Sequence, residues 1–214
     1  SDFGRFRFRP SDKWRIIYPY VQDGAHYRTY EEHELRTRFP KAYAYLQEHQ
    51  QRLKRRKQFR QWYAFSAPRN LALHESAQIA VPLLADRGLF ALVPSDARGR
   101  LCPMASGGFT ISLSPGCAVA PEYVLGLLNS KLLFWCLSAK SNVFRGGWIT
   151  CTKQYFGELP IRRLDLKKKV DQEAHSRVVD TVNLILALKT AHAAARTPQE
   201  LTTLQRQIAA AESR

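Results

Sequence analysis

The stretch PEYVLGLLNSKLLFWCLSAKSNVFRGGWITCTKQYFGELPI, residues 121–161, decides the fold of the chain around it. It opens on Pro121 and Glu122, which favour a helix start because proline suits the first helical turn and a carboxylate suits the positive helix end. Apolar residues then recur at helical spacing; they are Val124, Leu125, Leu127, Leu128, Leu132, Leu133 and Trp135. We therefore predict a central helix with a broad buried face that ends at a polar break, residues 138–142.

A glycine-rich turn follows this break. Residues 144–148 read FRGGW, so Arg145 lies beside a glycine pair, which lets a backbone turn sharply or approach a partner closely. Residues 149–156 have the β-branched and aromatic content of a strand. The segment closes on LPI at 159–161.

The charge balance is the strongest global signal. The 214 residues carry 33 Lys and Arg against 18 Asp and Glu, a formal net charge of +15. The usual partner of so basic a domain is nucleic acid, with an anionic membrane surface second. No apolar run reaches the roughly 18 residues of a membrane span, and we expect no membrane partner. The chain lacks an initiator Met and ends in a helix-like run, which indicates a piece of a longer protein.

The cysteines favour a reducing, cytoplasmic setting. They stand far apart without a C-x-x-C pair, so we expect neither a zinc site nor a disulfide framework; they are Cys102, Cys117, Cys136 and Cys151. Cys136 falls on the apolar face of the central helix and is expected to be a small core residue.

Arginine alternates with phenylalanine near the start of the chain, from Phe3 to Arg9. Period two predicts a β-strand with aromatic rings on one side and Arg5, Arg7 and Arg9 on the other. This arginine row is either the solvated outer face of an edge strand or a set of phosphate contacts.

A second helix is predicted from Pro40, since proline fits the first helical position. Its buried face should contain residues spaced by three, four and seven positions: Phe39, Tyr43, Leu46 and Leu53. The helix then becomes strongly basic, through Arg52, Lys54, Arg55, Arg56, Lys57 and Arg60. These cations form either a solvated face or a phosphate-binding face. The aromatic residues at 59–65 are expected in the core rather than as base-stacking platforms.

A loop with base-reading chemistry follows at Arg69 and Asn70. Arginine can donate to O6 and N7 of guanine together, and asparagine can pair with N6 and N7 of adenine. Alternatively, Asn70 caps a turn and Arg69 is merely exposed.

Short apolar runs at 79–84, 89–93 and 109–113, bounded by Gly and Pro, predict buried strands. They do not alternate strictly with helices. This favours an α+β fold with a mixed or antiparallel sheet and packed helices.

The sequence changes in character after residue 161, where it becomes basic and then helical. A capping-box pattern at 197–200 starts the last helix, so a C-terminal helical hairpin is expected. The chain is therefore predicted to consist of two domains, 1–161 and 162–214.

Three sequence pieces in this order resemble a known family: LLNSKL at 127–132, RGGW at 145–148 and LPI at 159–161. They are similar to the TaqI-like C-terminal specificity domain, the DNA target-recognition module of adenine-N6 methyltransferases in restriction-modification and phage-defence systems. YPY at 18–20 and FPKAYAYL at 39–46 extend the resemblance upstream.

The resemblance implies a bacterial or archaeal, cytoplasmic protein whose catalytic domain, with its S-adenosylmethionine, lies outside this chain. In such enzymes the recognition domain faces the methyltransferase domain across a cleft that holds double-stranded DNA, and the catalytic half flips the target adenine. The helical hairpin packs on the recognition domain or on that catalytic half. The parent would be a methyltransferase, of type IIG if it is also fused to an endonuclease.

Catalytic motifs are missing from the chain itself. It has no Asn-Pro-Pro, no glycine-rich loop for S-adenosylmethionine and no Glu-x-Lys of a metal-dependent nuclease. Its six histidines are scattered without metal-ligand spacing. We therefore expect no catalytic residue, metal or cofactor in this chain.

The expected function is sequence-specific recognition of double-stranded DNA, in which surplus cations supply affinity and a few loop side chains read bases. The alternative is an RNA-binding or protein-assembly module. The candidates for contacts in the groove are Arg145, Gly146, Gly147, Trp148, Lys153, Lys140, Arg69 and Asn70. The candidates for phosphate contacts are Arg5, Arg7, Arg9, Arg52, Arg55 and Arg56.

Overall fold

The computed structural model describes residues 4–8, 15–68, 71–72, 76–95 and 108–213. The chain forms two compact units: unit 1 comprises Ser1–Pro10 with Ser76–Arg214, and unit 2 comprises Ser11–Glu75. Arg9, Arg69 and Asn70, three predicted DNA contacts, lie outside the described residues. The division of the chain at residue 161 stays a prediction.

The fold is α+β, as predicted. The strands are β1 (Phe6–Arg7), β2 (Tyr20–Asp23), β3 (His26–Thr29), β4 (Ile79–Pro82), β5 (Leu84–Ala85), β6 (Ala91–Leu92), β7 (Gly108–Ile111) and β8 (Ile149–Thr150). The helices are α1 (Glu32–Arg38), α2 (Pro40–Glu48), α3 (Gln50–Lys54), α4 (Pro121–Leu128), α5 (Lys131–Lys140), α6 (Lys153–Phe156), α7 (Lys169–Ala194) and α8 (Pro198–Glu212).

Unit 1 is built on a mixed four-stranded sheet with the strand order β1-β6-β4-β7. β1 runs parallel to β6, whereas β4 pairs with β6 and with β7 antiparallel. Ile79, Ala80 and Val81 in β4 are all fully buried, so both faces of the central strand are covered. β1 lies at one end of the order, as an edge strand does, with Phe6 and Phe8 buried, but among the described residues of the predicted strand only Phe6–Arg7 are in it.

Helix α4 packs between the sheet and the long helix α7. Its Leu125 and Leu128 are buried in the same core cluster as the β4 residues. A Cβ atom on Gly126 would lie 2.6 Å from Cγ1 of Val178 and 3.0 Å from Cγ2 of Val182. The two helix backbones can therefore approach this closely only because residue 126 has no side chain.

The helix starts follow the sequence signals. Proline occupies the first turn of α2, α4 and α8, as predicted. At the start of α8 the Thr197 hydroxyl accepts a hydrogen bond from the Glu200 N–H at 3.2 Å, and the Glu200 carboxylate accepts one from the Thr197 N–H at 3.1 Å. This capping box and the packing of α7 on α8 confirm the predicted helical pair.

Unit 2 has a small core of aromatic and leucine side chains. β2 and β3 form an antiparallel hairpin, and α1 to α3 follow it. The buried members of the core are Tyr30, Leu35, Tyr43, Leu46, Trp62 and Tyr63. The expectation that the aromatic residues at 59–65 are buried is confirmed for Trp62 and Tyr63, but Phe59 is 37% exposed.

The predicted central helix is in fact two helices, so part of its predicted buried face was wrong. α4 ends at Leu128 and α5 starts at Lys131. This restart changes which residues face the core: Leu133 and Leu137 are buried, whereas Leu132 and Trp135 are each 68% exposed. Cys136, expected in the core, is only half-buried.

Two other predicted elements also differ. The helix from Pro40 ends at Glu48, where the His49 N–H bonds the Leu46 carbonyl in a tightened last turn. Phe39 lies before the helix, 41% exposed. The predicted strand at 149–156 contains only β8, because a helical turn, α6, follows it. This turn brings the ring of Phe156 edge-on against Phe90 and Phe109.

Within the part of the chain that the structure describes, no helix combines the length and apolarity needed to cross a membrane.

Candidate nucleic-acid interface

The LLNSKL motif builds the joint between α4 and α5. Asn129 is 2% exposed, and its amide bonds the backbone of Phe90 twice. Oδ1 accepts from the Phe90 N–H at 3.2 Å, and Nδ2 donates to the Phe90 carbonyl at 2.9 Å. Ser130 then caps α5, since its hydroxyl accepts from the N–H of Leu133 at 3.2 Å. The motif thus bonds the junction between α4 and α5 to Phe90, the residue before β6, and sets where α5 begins.

A β-hairpin at residues 142–150 follows α5 and holds Arg145 at its tip. Its paired positions are Asn142 with Thr150, Val143 with Ile149, and Phe144 with Trp148. The Phe144 N–H bonds the Trp148 carbonyl at 2.6 Å, and the Gly147 N–H bonds the Phe144 carbonyl at 3.3 Å. The predicted turn is therefore present, and two backbone hydrogen bonds, which join Phe144 to Gly147 and to Trp148, close it around Arg145.

Both glycines of the tip have left-handed backbone conformations. The φ angle is 77° at Gly146 and 79° at Gly147. A Cβ on Gly147 would meet nothing within 4 Å, so the limit at this position is backbone conformation and not space. Any other L-residue here would cost on the order of 1–2 kcal/mol, which explains the glycine pair.

The base of the hairpin is anchored in unit 1. β8 pairs antiparallel with β5, and the Cys151 N–H bonds the Leu83 carbonyl at 2.7 Å. Ile149 and Cys151 are buried, and burial raises the pKa of the Cys151 thiol to about 12. The hairpin therefore has a fixed base and an exposed tip.

The cations near the hairpin differ in their contacts. Arg145 and Lys153 are exposed, and neither side chain has a hydrogen-bond or ion-pair partner among the described residues. Lys140 instead pairs with Glu158 at 2.7 Å, a contact that lowers the pKa of the carboxyl. Arg145 and Lys153 thus remain available for an external anion, whereas Lys140 is partly neutralised.

Arg5 and Arg7 have partners inside unit 1. Arg5 donates to a carboxylate oxygen of Glu212 at 2.8 Å and to the Asn129 carbonyl at 2.7 Å. Arg7 donates to the carbonyl of Lys189 at 3.0 Å. These guanidinium groups connect β1 to the helices.

The basic cluster of unit 2 is similarly divided. Arg52 and Arg55 are exposed without a side-chain partner among the described residues. Arg56 instead donates to three backbone carbonyls, those of Leu53, Trp62 and Ala64. Arg56 thus holds the segment after α3 in place, while Arg52 and Arg55 remain candidates for phosphate contacts.

Unit 2 also has an open cleft of about 400 Å³, lined by Glu31, Glu32, Lys54, Phe59, Arg60, Gln61, Trp62 and Tyr63. Glu32 is part of the core network, since one carboxylate oxygen accepts from the Tyr43 hydroxyl at 2.9 Å and from the Trp62 indole N–H at 3.3 Å. The cleft presents carboxylates and cations together, so it lacks the single sign of charge that a phosphate site requires.

Sequence reasoning missed two features of the site. Phe144 is 55% exposed beside Arg145, and Val143 is 66% exposed. Phe144 and Trp148 each lie two residues from Gly146, and Val143 and Ile149 each lie three, a hairpin signal that could have placed Phe144 opposite Trp148. The internal role of Arg56 had no local signal, because its acceptors are fixed only by the fold.

No group of three or more His, Cys, Asp or Glu residues that could hold a metal ion occurs among the described residues. A comparison with protein-family models finds no match to this chain, and a comparison with curated protein sequences finds none either.

Proposed function

We propose that this chain is a sequence-specific recognition module for double-stranded DNA, part of an adenine-N6 methyltransferase of a restriction-modification or phage-defence system. The observation that carries the proposal is the tip of the 142–150 hairpin. Arg145 stands there exposed, without a side-chain partner in the described part of the chain, beside two left-handed glycines; the chain has a net charge of +15. Because glycine adds no side-chain bulk, the guanidinium can enter a DNA groove together with the backbone of the turn.

The charge around the hairpin supports an anionic partner. Residues 141–157 contain no Asp or Glu, and the next carboxylate, Glu158, is paired with Lys140. Binding would release counterions from the phosphates and thereby supply affinity that is independent of sequence. Arg145 would add discrimination by donating to O6 and N7 of one guanine.

In this proposal the chain recognises DNA and makes no covalent bond itself. Methyl transfer, with S-adenosylmethionine, belongs to a catalytic domain of the parent protein in a bacterial or archaeal cytoplasm. The resemblance of LLNSKL, RGGW and LPI to pieces of TaqI-like specificity domains and the absence of Asn-Pro-Pro from the chain support this division.

The test is selection of binding sites from a randomised duplex library by the full chain, followed by titrations at several salt concentrations. We expect an enriched sequence and a log K that falls linearly with log salt, with a slope near −0.9 for each neutralised phosphate. Arg145→Ala should lose about 1–3 kcal/mol on the selected sequence and little on unrelated DNA. The matched control is Arg206→Ala, which removes an exposed arginine of α8. It should change neither the affinity for the selected sequence nor the affinity for unrelated DNA.

A binding constant that does not change with salt would contradict the proposal. An equal loss on all sequences for Arg145→Ala would make Arg145 a phosphate contact and not a reader of bases. Tighter binding to duplex RNA than to duplex DNA would replace the proposal with an RNA-binding function.

A further inference from the structure

The hairpin tip exposes large apolar side chains as well as Arg145. Phe144 is 55% exposed and Trp148 is 39% exposed. Single exposed apolar residues are ordinary, whereas a contiguous exposed apolar patch marks an interaction site, and Val143, 66% exposed, extends this one. These rings therefore need a partner with an apolar surface that the tip can reach.

The two rings occupy the same face of the hairpin. Phe144 and Trp148 form a cross-strand pair, joined by the 2.6 Å backbone bond, and directly opposed residues project to one side of a β-ladder. A Cβ on Gly146 would lie 3.6 Å from Cδ1 of Trp148, so the turn backbone lies against the edge of the indole. Ile149 and Cys151 are buried, so the stem that carries the pair is anchored in unit 1.

The charges on the same segment select the partner. The only charged residues in 141–157 are Arg145 and Lys153, and both are cations. A partner of this surface must offer negative charge and flat apolar faces within a few ångströms of each other. The stacked bases between the two phosphate strands of DNA have this combination, and exposed aromatic or aliphatic side chains can enter between base pairs and unstack them.

We infer that Phe144 and Trp148 insert at a base step of the bound duplex and unstack it, while Arg145 holds the neighbouring groove edge. This inference rests on the proposed function. Part of the sequence preference would then come from the step itself, because pyrimidine–purine steps unstack most easily. The aromatic pair is thus a second determinant of specificity, separate from hydrogen bonding by Arg145.

The experiment places 2-aminopurine, whose fluorescence rises when it is unstacked, at each position of the selected duplex in turn. With the full wild-type chain we expect a rise at one step. Phe144→Ala and Trp148→Ala should remove the rise at saturating protein and lower affinity by roughly 5- to 150-fold each, the range of base–aromatic stacking. Arg145→Ala should weaken binding but keep the rise once the duplex is saturated.

Leu201→Ala, which removes a 37% exposed apolar side chain from α8, is the control and should leave both readouts unchanged. Urea unfolding of each variant checks that the fold is intact. If wild-type protein binds the duplex with no fluorescence change at any position, the inference is wrong and the proposed function stands. If it does not bind duplex DNA, both are wrong. If the aromatic variants change only self-association in sedimentation, the pair is a protein contact and the inference is wrong.

Discussion

Replacement of Asn129 by alanine should destabilise unit 1 strongly. The substitution leaves the buried Phe90 N–H without its acceptor, which costs about 1–3 kcal/mol. It also removes the bonds from Nδ2 to the carbonyls of Phe90 and Leu125. Each carbonyl keeps a second donor, the N–H of Phe6 and that of residue 129 itself, so this loss is smaller. Together the expected decrease in the free energy of unfolding is about 2–5 kcal/mol.

Urea unfolding followed by circular dichroism measures this loss, since the long helices lie in unit 1. With an m-value of about 2 kcal/mol/M, the midpoint should fall by roughly 1–2.5 M. Asn142→Ala, an exposed asparagine of the hairpin, is the control and should stay within about 0.5 kcal/mol of the wild type. If Asn129→Ala is as stable as this control, the amide bonds do not hold the joint and the reasoning is refuted.

Asn129→Asp provides a second check on the direction of the bonds. One carboxylate oxygen can still accept from the Phe90 N–H, but the other would face two carbonyl oxygens without a proton to donate. Burial and these acceptors should raise the pKa of the new carboxyl in the folded state, so its destabilising effect grows as pH rises above the unfolded value of about 4. The stability gap to wild type should therefore shrink as the pH is lowered, which chemical denaturation at several pH values measures.

Three further outcomes follow from the packing and the charges. Gly126→Ala should destabilise unit 1 by about 1–3 kcal/mol in urea unfolding, because the new methyl overlaps α7; a stabilised variant would disprove the close helix contact. At pH 8, iodoacetamide should alkylate exposed Cys117 quickly and leave Cys151 unmodified unless the protein is unfolded, as peptide mass mapping would show; equal rates would contradict its burial. Hydrogen bonding to Arg28 lowers the pKa of Glu34 to about 2, so the stability from this pair is present above pH 4.5 and is lost as pH falls through about 2. Carboxyl NMR titration of wild type and Arg28→Ala checks this, and the same midpoint in both would count against it.

Local signals in the sequence were sufficient to predict an element where one or two residue types determine how that element begins or which residues it buries. Prolines started α4 and α8, the capping box at 197–200 opened the last helix, and the alternation around Phe6 and Phe8 gave a strand. These signals act within one turn or one strand, so they do not depend on the rest of the fold. The α+β class followed from the order of such elements.

The predictions were wrong or incomplete where contacts between distant parts of the chain determine the end of a helix or the partner of a side chain. The apolar spacing from Val124 to Trp135 fits one continuous helix, but the backbone becomes extended at Ser130, directly after Asn129, whose amide bonds the Phe90 backbone 39 residues earlier in the chain. Arg5 could be predicted as a cation on an outer face. Its engagement with Glu212 could not, since 207 residues separate the two. At the candidate interface the sequence indicated Arg145 and the glycine turn, but the exposure of Phe144 depends on what packs below it.

The fixed base and open tip of the hairpin have a consequence for engineering. Ile149 and Cys151 in the stem are buried, and a Cβ on Gly147 would meet no atom of the described residues within 4 Å. Residues 144–148 can therefore be exchanged as a cassette, provided the glycines stay, at little risk to the scaffold underneath. A library of such cassettes would be a practical route to variants with altered preferences.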